Sequence, residues 1–250
     1  MAPDLQIITI LIVLFTFAAT LIIRRRRPLP MRPISAYEVL PDLANESIEA
    51  SRPLHIGLGG ASLGDENTIL TLVAAEAAYY AIQPATIGDA PPIVTTSETS
   101  TLPLAVDTLR RAYASRGMID AYRGTSARWY PAGPRALAYS GALTTLAGDD
   151  QLSSHVLVGQ YGVELALVLA SASRRGLTTI ASSSTLTGQA VAYAMADHAL
   201  IGDELYGGAA YLGKLPHLAN RNLTIDLMRW LLIVILLLLM AYNLAQQYGR

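Results

Sequence analysis

The sequence predicts an α/β fold: a three-layer, Rossmann-like or flavodoxin-like parallel sheet of about five strands, flanked by N- and C-terminal transmembrane helices. Three observations carry that expectation. Short apolar runs bounded by turn residues alternate with longer helical patterns between residues 54 and 212, the signature of repeated βα units. The runs are continuous rather than alternating, as strands covered on both faces require. The chain also opens and closes on long apolar segments.

Residues 5–23 are 19 positions without a charge, enough to cross a hydrocarbon core of about 30 Å as a helix. Asp4 precedes the run, and Arg24, Arg25, Arg26 and Arg27 follow it. A cleaved signal peptide carries its positive charge first, so residues 1–23 read as a spanning helix. The arginines belong on the cytoplasmic side, which puts the N-terminus outside. Residues 24–34 form a basic, proline-rich linker, extended and semi-rigid.

The central domain is predicted over residues 35–215. Ser35 and Glu38 have capping-box spacing and open a helix that Pro41 interrupts or restarts. The first strand is 54–58, followed by an alanine-rich helix over 68–82. Pro91 and Pro92 introduce a strand at 93–96. Pro103 starts a helix that runs through Tyr113 and closes at Gly117. A third strand spans 127–130, and Pro134 starts a helix ending at Gly148. A strand at 155–158 precedes a helix over 163–175, with arginines in its last turn and Gly176 beyond it. The fifth strand is 177–181, and helices follow over 187–197 and 203–212. The sequence leaves the strand order open. An order with a switch point and right-handed crossovers is the default.

The last region, 216–250, is read as a helix running into a second span. Residues 230–242 are unbroken apolar and extend to 245 past Asn243. Trp230 and Tyr242 bound the run like interfacial anchors, with Arg221 and Arg229 on its N-terminal side. A buried core helix is the competing reading of this shorter run. Two spans put the central domain in the cytoplasm and both termini outside.

Composition excludes several chemistries. The chain has no cysteine, so there is no disulfide, thiolate metal site or thiol nucleophile. Lys214 is the only lysine, which leaves Schiff-base chemistry and a Walker motif almost without candidates. Between residues 28 and 224, 17 acids face 12 Lys plus Arg, a balance that argues against a nucleic-acid partner. The four histidines, His55, His155, His198 and His217, lack metal-ligand spacing and read as structural. No metal is expected, and no cofactor.

In an open α/β sheet, ligands bind outside the carboxyl ends of the strands. Those ends here are small and hydroxylic, and they nominate Gly59, Gly60 and Ser62; Thr96, Ser97 and Glu98; Gly159 and Gly162; Ser183 and Ser184. Amides and hydroxyls at helix starts suit a phosphate-like anion. Helix N-caps favour the same residue types without any ligand. Gly57-x-Gly59-x-x-Ser62 approaches a dinucleotide fingerprint but lacks the third glycine, and Glu98 lies too far along to serve as its ribose-binding acid. Gly60-x-Ser62-x-Gly64 spells a nucleophile elbow, yet it follows the first clear strand, where a hydrolase has several strands ahead of it. Acid and base for such an elbow would come from Asp197 and His198, or from Glu164 with His155.

The segments "RRPLPMRPISAYEVLP", "SRPLHIGLGG", "PPIVTTSETSTLPLAVDTLRRAY", "HVLVGQYGVELALVL" and "QAVAYAMADHALIGDELYGGAAYLG" together resemble a bacterial membrane-protein family known as a domain of unknown function. The resemblance covers most of the chain. It implies a cytoplasmic domain between hydrophobic ends and carries over no catalytic residue.

The resulting expectation is a non-enzymatic scaffold or assembly component, anchored in the bacterial inner membrane and self-associating. Its partners are the lipid bilayer and further copies or assembly subunits. The alternative is a tethered domain that binds a nucleotide or other small anion at the strand edges. A serine hydrolase using Ser62 ranks third.

Overall fold

The computed structural model describes residues 33–149, 151–213 and 230–235, with Phe15, Ala18, Leu237 and Met240. The chain divides into two compact units, Pro33–Gly213 on the one hand and Met1–Arg32 with Lys214–Arg250 on the other. In the second unit the described residues are helical. Trp230 opens the stretch 230–235 and is 68% exposed, and Leu232, Ile233, Val234 and Ile235 are exposed as well. Most of the apolar segments 5–23 and 230–245 lies outside the described residues, as do Arg24, Arg25, Arg26, Arg27 and Arg229. Among the described residues no helix is long and apolar enough to cross a membrane.

The Pro33–Gly213 unit is a six-stranded parallel sheet: β1 (Leu54–Gly59), β2 (Ile93–Thr96), β3 (Ala127–Trp129), β4 (Ser154–Gln160), β5 (Thr178–Ser183) and β6 (His198–Leu200), in the order β3-β2-β1-β4-β5-β6. The sequence suggests about five strands. The sixth, β6, is a three-residue edge strand, too short to show a period between two helical patterns. This doubly wound order has its switch point between β1 and β4.

Helices cover both faces. Side chains alternate along each strand, so Ile56, Leu58, Val94, Val156, Val158 and Ile180 join one core with α1 (Ser35–Glu49), α2 (Thr68–Ala85) and α3 (Leu102–Ser115). Ile93, Leu157 and Ala181 point the other way, into a core with α4 (Leu137–Asp149), α5 (Leu165–Arg174) and α6 (Leu186–Met195). Alanine dominates the α2 contact, with Ala74, Ala75, Ala77, Ala78, Ala81 and Ala85 all buried. Small side chains let this 18-residue helix lie close to the sheet and its neighbours.

Several local expectations are corrected. Ser35 does not cap α1; Ile34 holds the N-cap position without a side-chain bond. Glu38 instead accepts a hydrogen bond from the Tyr211 hydroxyl at 3.1 Å. Pro41 lies inside α1 without breaking it. Proline removes one ladder bond, and the buried stripe of Ala36, Tyr37, Leu40, Leu43, Ala44 and Ser47 holds the helix on the sheet through that gap. Likewise α2 passes through Pro84 to Ala85. The predicted helix over 203–212 divides into a 3₁₀ segment, Gly202–Gly207, and the short α7, Gly208–Leu212. The Glu204 carboxylate accepts from the Ile201 amide there and favours a tight turn.

The two ends of this unit come together. A helix in a βα sheet runs antiparallel to the strands, and 15 residues of α1 span about 22 Å. Its start therefore lies at the carboxyl end of the sheet. Tyr37 donates from there to the carbonyls of Glu204 (2.8 Å) and Leu205 (3.2 Å), just beyond β6. Its ring lies 5.5 Å from that of Tyr211 in α7, whose hydroxyl accepts from the Ile34 amide at 3.5 Å. Tyr37→Phe should cost about 1–2 kcal/mol, because it leaves buried carbonyls unpaired. Chemical denaturation of the full-length protein in detergent measures this, and an unchanged midpoint would show that these bonds contribute nothing net.

Candidate functional site

The topology brings all ten predicted binding residues to one edge of the sheet. Gly59, Gly159 and Ser183 are the last residues of their strands or next to last, and Thr96 ends β2. The Ser97 amide and hydroxyl donate to the Gly59 carbonyl at 3.1 and 3.2 Å. The Gly60 amide donates to the Gln160 carbonyl at 2.9 Å, across the switch point, and the Ser184 amide to Gly159 at 3.2 Å. Gly59 has φ +63°, and a Cβ there would overlap the Gln160 carbonyl oxygen. A Cβ on Gly159 would overlap the Leu58 carbonyl oxygen. The glycines are thus explained by the close approach of β1 and β4 backbones, which share an irregular register between Gly57 and Gly59.

Four side chains of the edge, those of Ser62, Thr96, Ser97 and Ser183, are engaged with the chain itself. The Ser62 hydroxyl donates to Asp65, whose other oxygen accepts from the Asn67 amide at 2.8 Å. Those bonds, the Ser62 hydroxyl first, hold the Asp65 carboxyl below its usual range. Glu164, at the N-cap of α5, accepts from the Gly162 amide. Ser183 Oγ donates to the Tyr161 carbonyl at 2.7 Å and accepts from the Tyr161 and Thr185 amides, both at 3.1 Å. Thr185 Oγ1 caps α6 through the Gly188 amide at 3.0 Å and donates to Tyr161 O at 2.6 Å. Thr96 Oγ1 accepts from the Glu98 amide at 3.1 Å. Helix starts attract anions. Carboxylates of the chain, Asp65 just ahead of α2 and Glu164 at α5, stand beside the two starts that flank the switch point.

The two catalytic patterns fare differently from their spellings. Helix α2 begins at Thr68, after the loop of residues 60–67, whereas a dinucleotide fingerprint opens its helix at the glycines. Ser62 is paired with a carboxylate rather than an imidazole, while a nucleophile elbow requires a base at its hydroxyl. Asp197 accepts from the amide and hydroxyl of Thr179, both at 2.8 Å. His155 is fully buried in the sheet. Neither acid–base pair is assembled at Ser62.

A buried polar chain escaped the sequence reading as a unit. His55 and His155 are register partners on β1 and β4, and their Nδ1 atoms are 2.7 Å apart. His55 Nε2 lies 2.9 Å from Thr95 Oγ1, which lies 2.8 Å from the Tyr139 hydroxyl. The Tyr139 and Tyr161 rings are 6.3 Å apart, against Gly57, where a side chain would overlap the Tyr161 hydroxyl. The Nδ1 contact needs one donor and one acceptor, so the two neutral rings take opposite tautomers. Among the described residues, His155 Nε2 and the Tyr161 hydroxyl have no hydrogen-bond partner. Burial lowers the His155 pKa to about 4, with Arg175 adding to it, and pushes His55 well down, with His155 and Arg128 adding. Burial lifts Tyr139 to about 12 and pushes Tyr161 well up from its ordinary value. The chain is therefore uncharged at neutral pH. Its sequence signal is positional: each histidine is the second residue of its strand, in Leu54-His55-Ile56 and Ser154-His155-Val156.

Among the described residues no group of three or more His, Asp or Glu could hold a metal. A cavity of about 430 Å³ between α4 and α5 is lined by Thr144, Thr145, Ser171, Arg174 and Arg175. It lies towards the helix C-termini, where arginines complement the carbonyl dipole, and Arg175 is held by the carbonyl and hydroxyl of Ser171.

Neither a curated protein nor a solved structure matches the chain. One family model does, over residues 3–248, nearly end to end. The chain belongs to that family, the domain of unknown function DUF6754.

Proposed function

We propose that this protein is a membrane-anchored scaffold or assembly module whose α/β domain performs no reaction. The observation that carries this reading is the self-engaged switch point. Where a phosphate is cradled in this topology, the Ser62 hydroxyl and the Asn67 and Gly162 amides are bonded to Asp65 and Glu164, and the Gly60, Ser97 and Ser184 amides to neighbouring carbonyls. Anchoring is supported by the uncharged run 5–23 with its four following arginines, and by the exposed apolar side chains of the helical stretch 230–235. Consecutive residues of a helix lie on different faces, so exposure from 232 to 235 leaves no buried side. The positive-inside rule puts the α/β domain in the cytoplasm and both termini outside, in a bacterial inner membrane. The partners are the bilayer and further copies of the chain.

The expected results are specific. Nucleotides and inorganic phosphate at millimolar concentration leave the melting temperature of the detergent-solubilised protein unchanged, and the protein elutes larger than a monomer. A ligand at about 100 times its dissociation constant adds about 2.7 kcal/mol, so a clear upward shift would favour a tethered anion-binding domain instead. The convergence of nine small or hydroxylic residues, with Glu98, on one edge is what keeps that second reading. Labelling of wild type but not Ser62→Ala by a fluorophosphonate would bring the hydrolase reading forward.

A further inference from the structure

We propose that the carboxyl edge of the sheet is the bilayer-facing surface of the α/β domain and docks on the lipid interface through an apolar rim. The inference rests on the membrane-anchored reading and specifies which surface meets the membrane. Its first support is where the chain leaves the domain. Ile34 and Tyr211 touch, so Pro33 and Gly213 emerge side by side at the carboxyl end. The segments that continue from them lead to the apolar runs 5–23 and 230–245. On the N-terminal side only residues 24–32 intervene, at most about 30 Å of extended chain. The opposite, amino end of the domain has no chain leaving it.

The second support is the chemistry of the helix starts. First turns ordinarily present polar caps and acids. Here Leu137 and Leu186 are the first residues of α4 and α6, Ile69 is the second of α2, and Val163 immediately precedes the N-cap of α5. They are 52%, 84%, 69% and 64% exposed. An exposed leucine is ordinary by itself. A large apolar side chain at four helix starts on the same edge is a rim, and none of the four is needed by the core beneath it. The same edge holds Asp65, Glu66, Glu98, Glu164, Asp203 and Glu204 against Arg135. The acids of the edge oppose an anionic headgroup layer, and Arg24, Arg25, Arg26 and Arg27 in the linker that leads to it attract one.

The absence of cysteine makes the test direct. Single cysteines are placed at the rim (Val163→Cys, Leu186→Cys) and near the opposite end (Ile87→Cys, Tyr193→Cys), where exposed apolar residues also occur. Each full-length variant carries an environment-sensitive fluorophore and is reconstituted into phosphatidylcholine vesicles with brominated acyl chains. The expected result is loss of emission at 163 and 186 and none at 87 and 193. Equal emission at all four positions, in protein that floats with the vesicles, overturns the docking proposal while leaving anchoring intact. So does shielding of 163 and 186 without lipid quenching, which would point to a second copy on the rim. Protein that fails to float overturns both readings.

Discussion

Gly159→Ala is expected to destabilise the protein by about 3 kcal/mol, lowering its melting temperature by about 6–12 °C for a domain of this size. The added methyl would overlap the Leu58 carbonyl oxygen and stand 2.7 Å from the Leu58 carbonyl carbon. Both atoms are backbone, so no side chain can swing away. Moving β1 and β4 apart would break the Gly60–Gln160 and Ser184–Gly159 amide bonds at the switch point. The comparison is Gly176→Ala. That glycine has φ +67° with nothing within 4 Å of a Cβ, so it costs only the left-handed penalty of about 1–2 kcal/mol. Thermal melts of both full-length variants in detergent give the answer. A Gly159→Ala protein no less stable than Gly176→Ala would mean that the β1–β4 edge is looser than its geometry states.

Much of this fold is readable from residue patterns alone. The strands at 54, 93, 127, 155 and 177 are announced by apolar runs between turn residues, and the parallel sheet follows from the helices between them. The carboxyl-edge residues could be named because a strand's direction is fixed once its following helix is placed. What sequence could not supply was anything that depends on pairing. The order β3-β2-β1-β4-β5-β6 joins segments far apart in the chain, and no local pattern encodes it. The capping box at Ser35 failed because the helix starts one residue earlier, with Ile34 at the N-cap, and Glu38 accepts instead from Tyr211, some 170 residues on. Pro41 failed as a breaker because burial of the flanking stripe outweighs one lost bond, and α2 likewise runs through Pro84 beyond its expected end at 82.

The candidate site shows the same division. Small and hydroxylic residues at strand ends are visible in the sequence, but their state of engagement is not. Ser62 and Asp65 lie three residues apart, and neither motif that contains Ser62 pairs it with Asp65. Their mutual bond belongs to the turn that leads into α2. Gly59 and Gly159 read as ligand cradles, and prove to be the places where two strands touch. The histidine pair was foreseen residue by residue as structural, yet the contact between them spans 100 residues of chain.

The stability of the protein should fall as pH drops from about 6.5 towards 4, and the buried histidine pair should be the main cause. An unfolded histidine titrates near 6.5. In the folded protein His155 holds off protonation until about 4, and His55 is also pushed well down, in both cases chiefly by burial. A histidine with a depressed folded pKa contributes fully above the unfolded value. Below it, the unfolded chain binds a proton that the folded chain refuses, so stability is lost as pH falls towards the folded pKa. For His155 the window of about two and a half pH units corresponds to roughly 3 kcal/mol, and His55 adds in the same direction. The two sites are coupled, because a proton on either ring abolishes the arrangement of one donor and one acceptor between the Nδ1 atoms. His55→Leu/His155→Leu removes both groups together and avoids leaving one buried imidazole without its partner. Urea midpoints of wild type and the double variant, measured between pH 7.5 and 4.5 in detergent, separate the pair from the carboxylates, which titrate in both. The wild-type midpoint should decline from about pH 6.5, and the double variant should stay flat until the carboxylates begin to protonate. Parallel curves would show that the imidazoles reach water in the folded state, and the buried chain through Thr95 to Tyr139 would then have to be open at its His155 end.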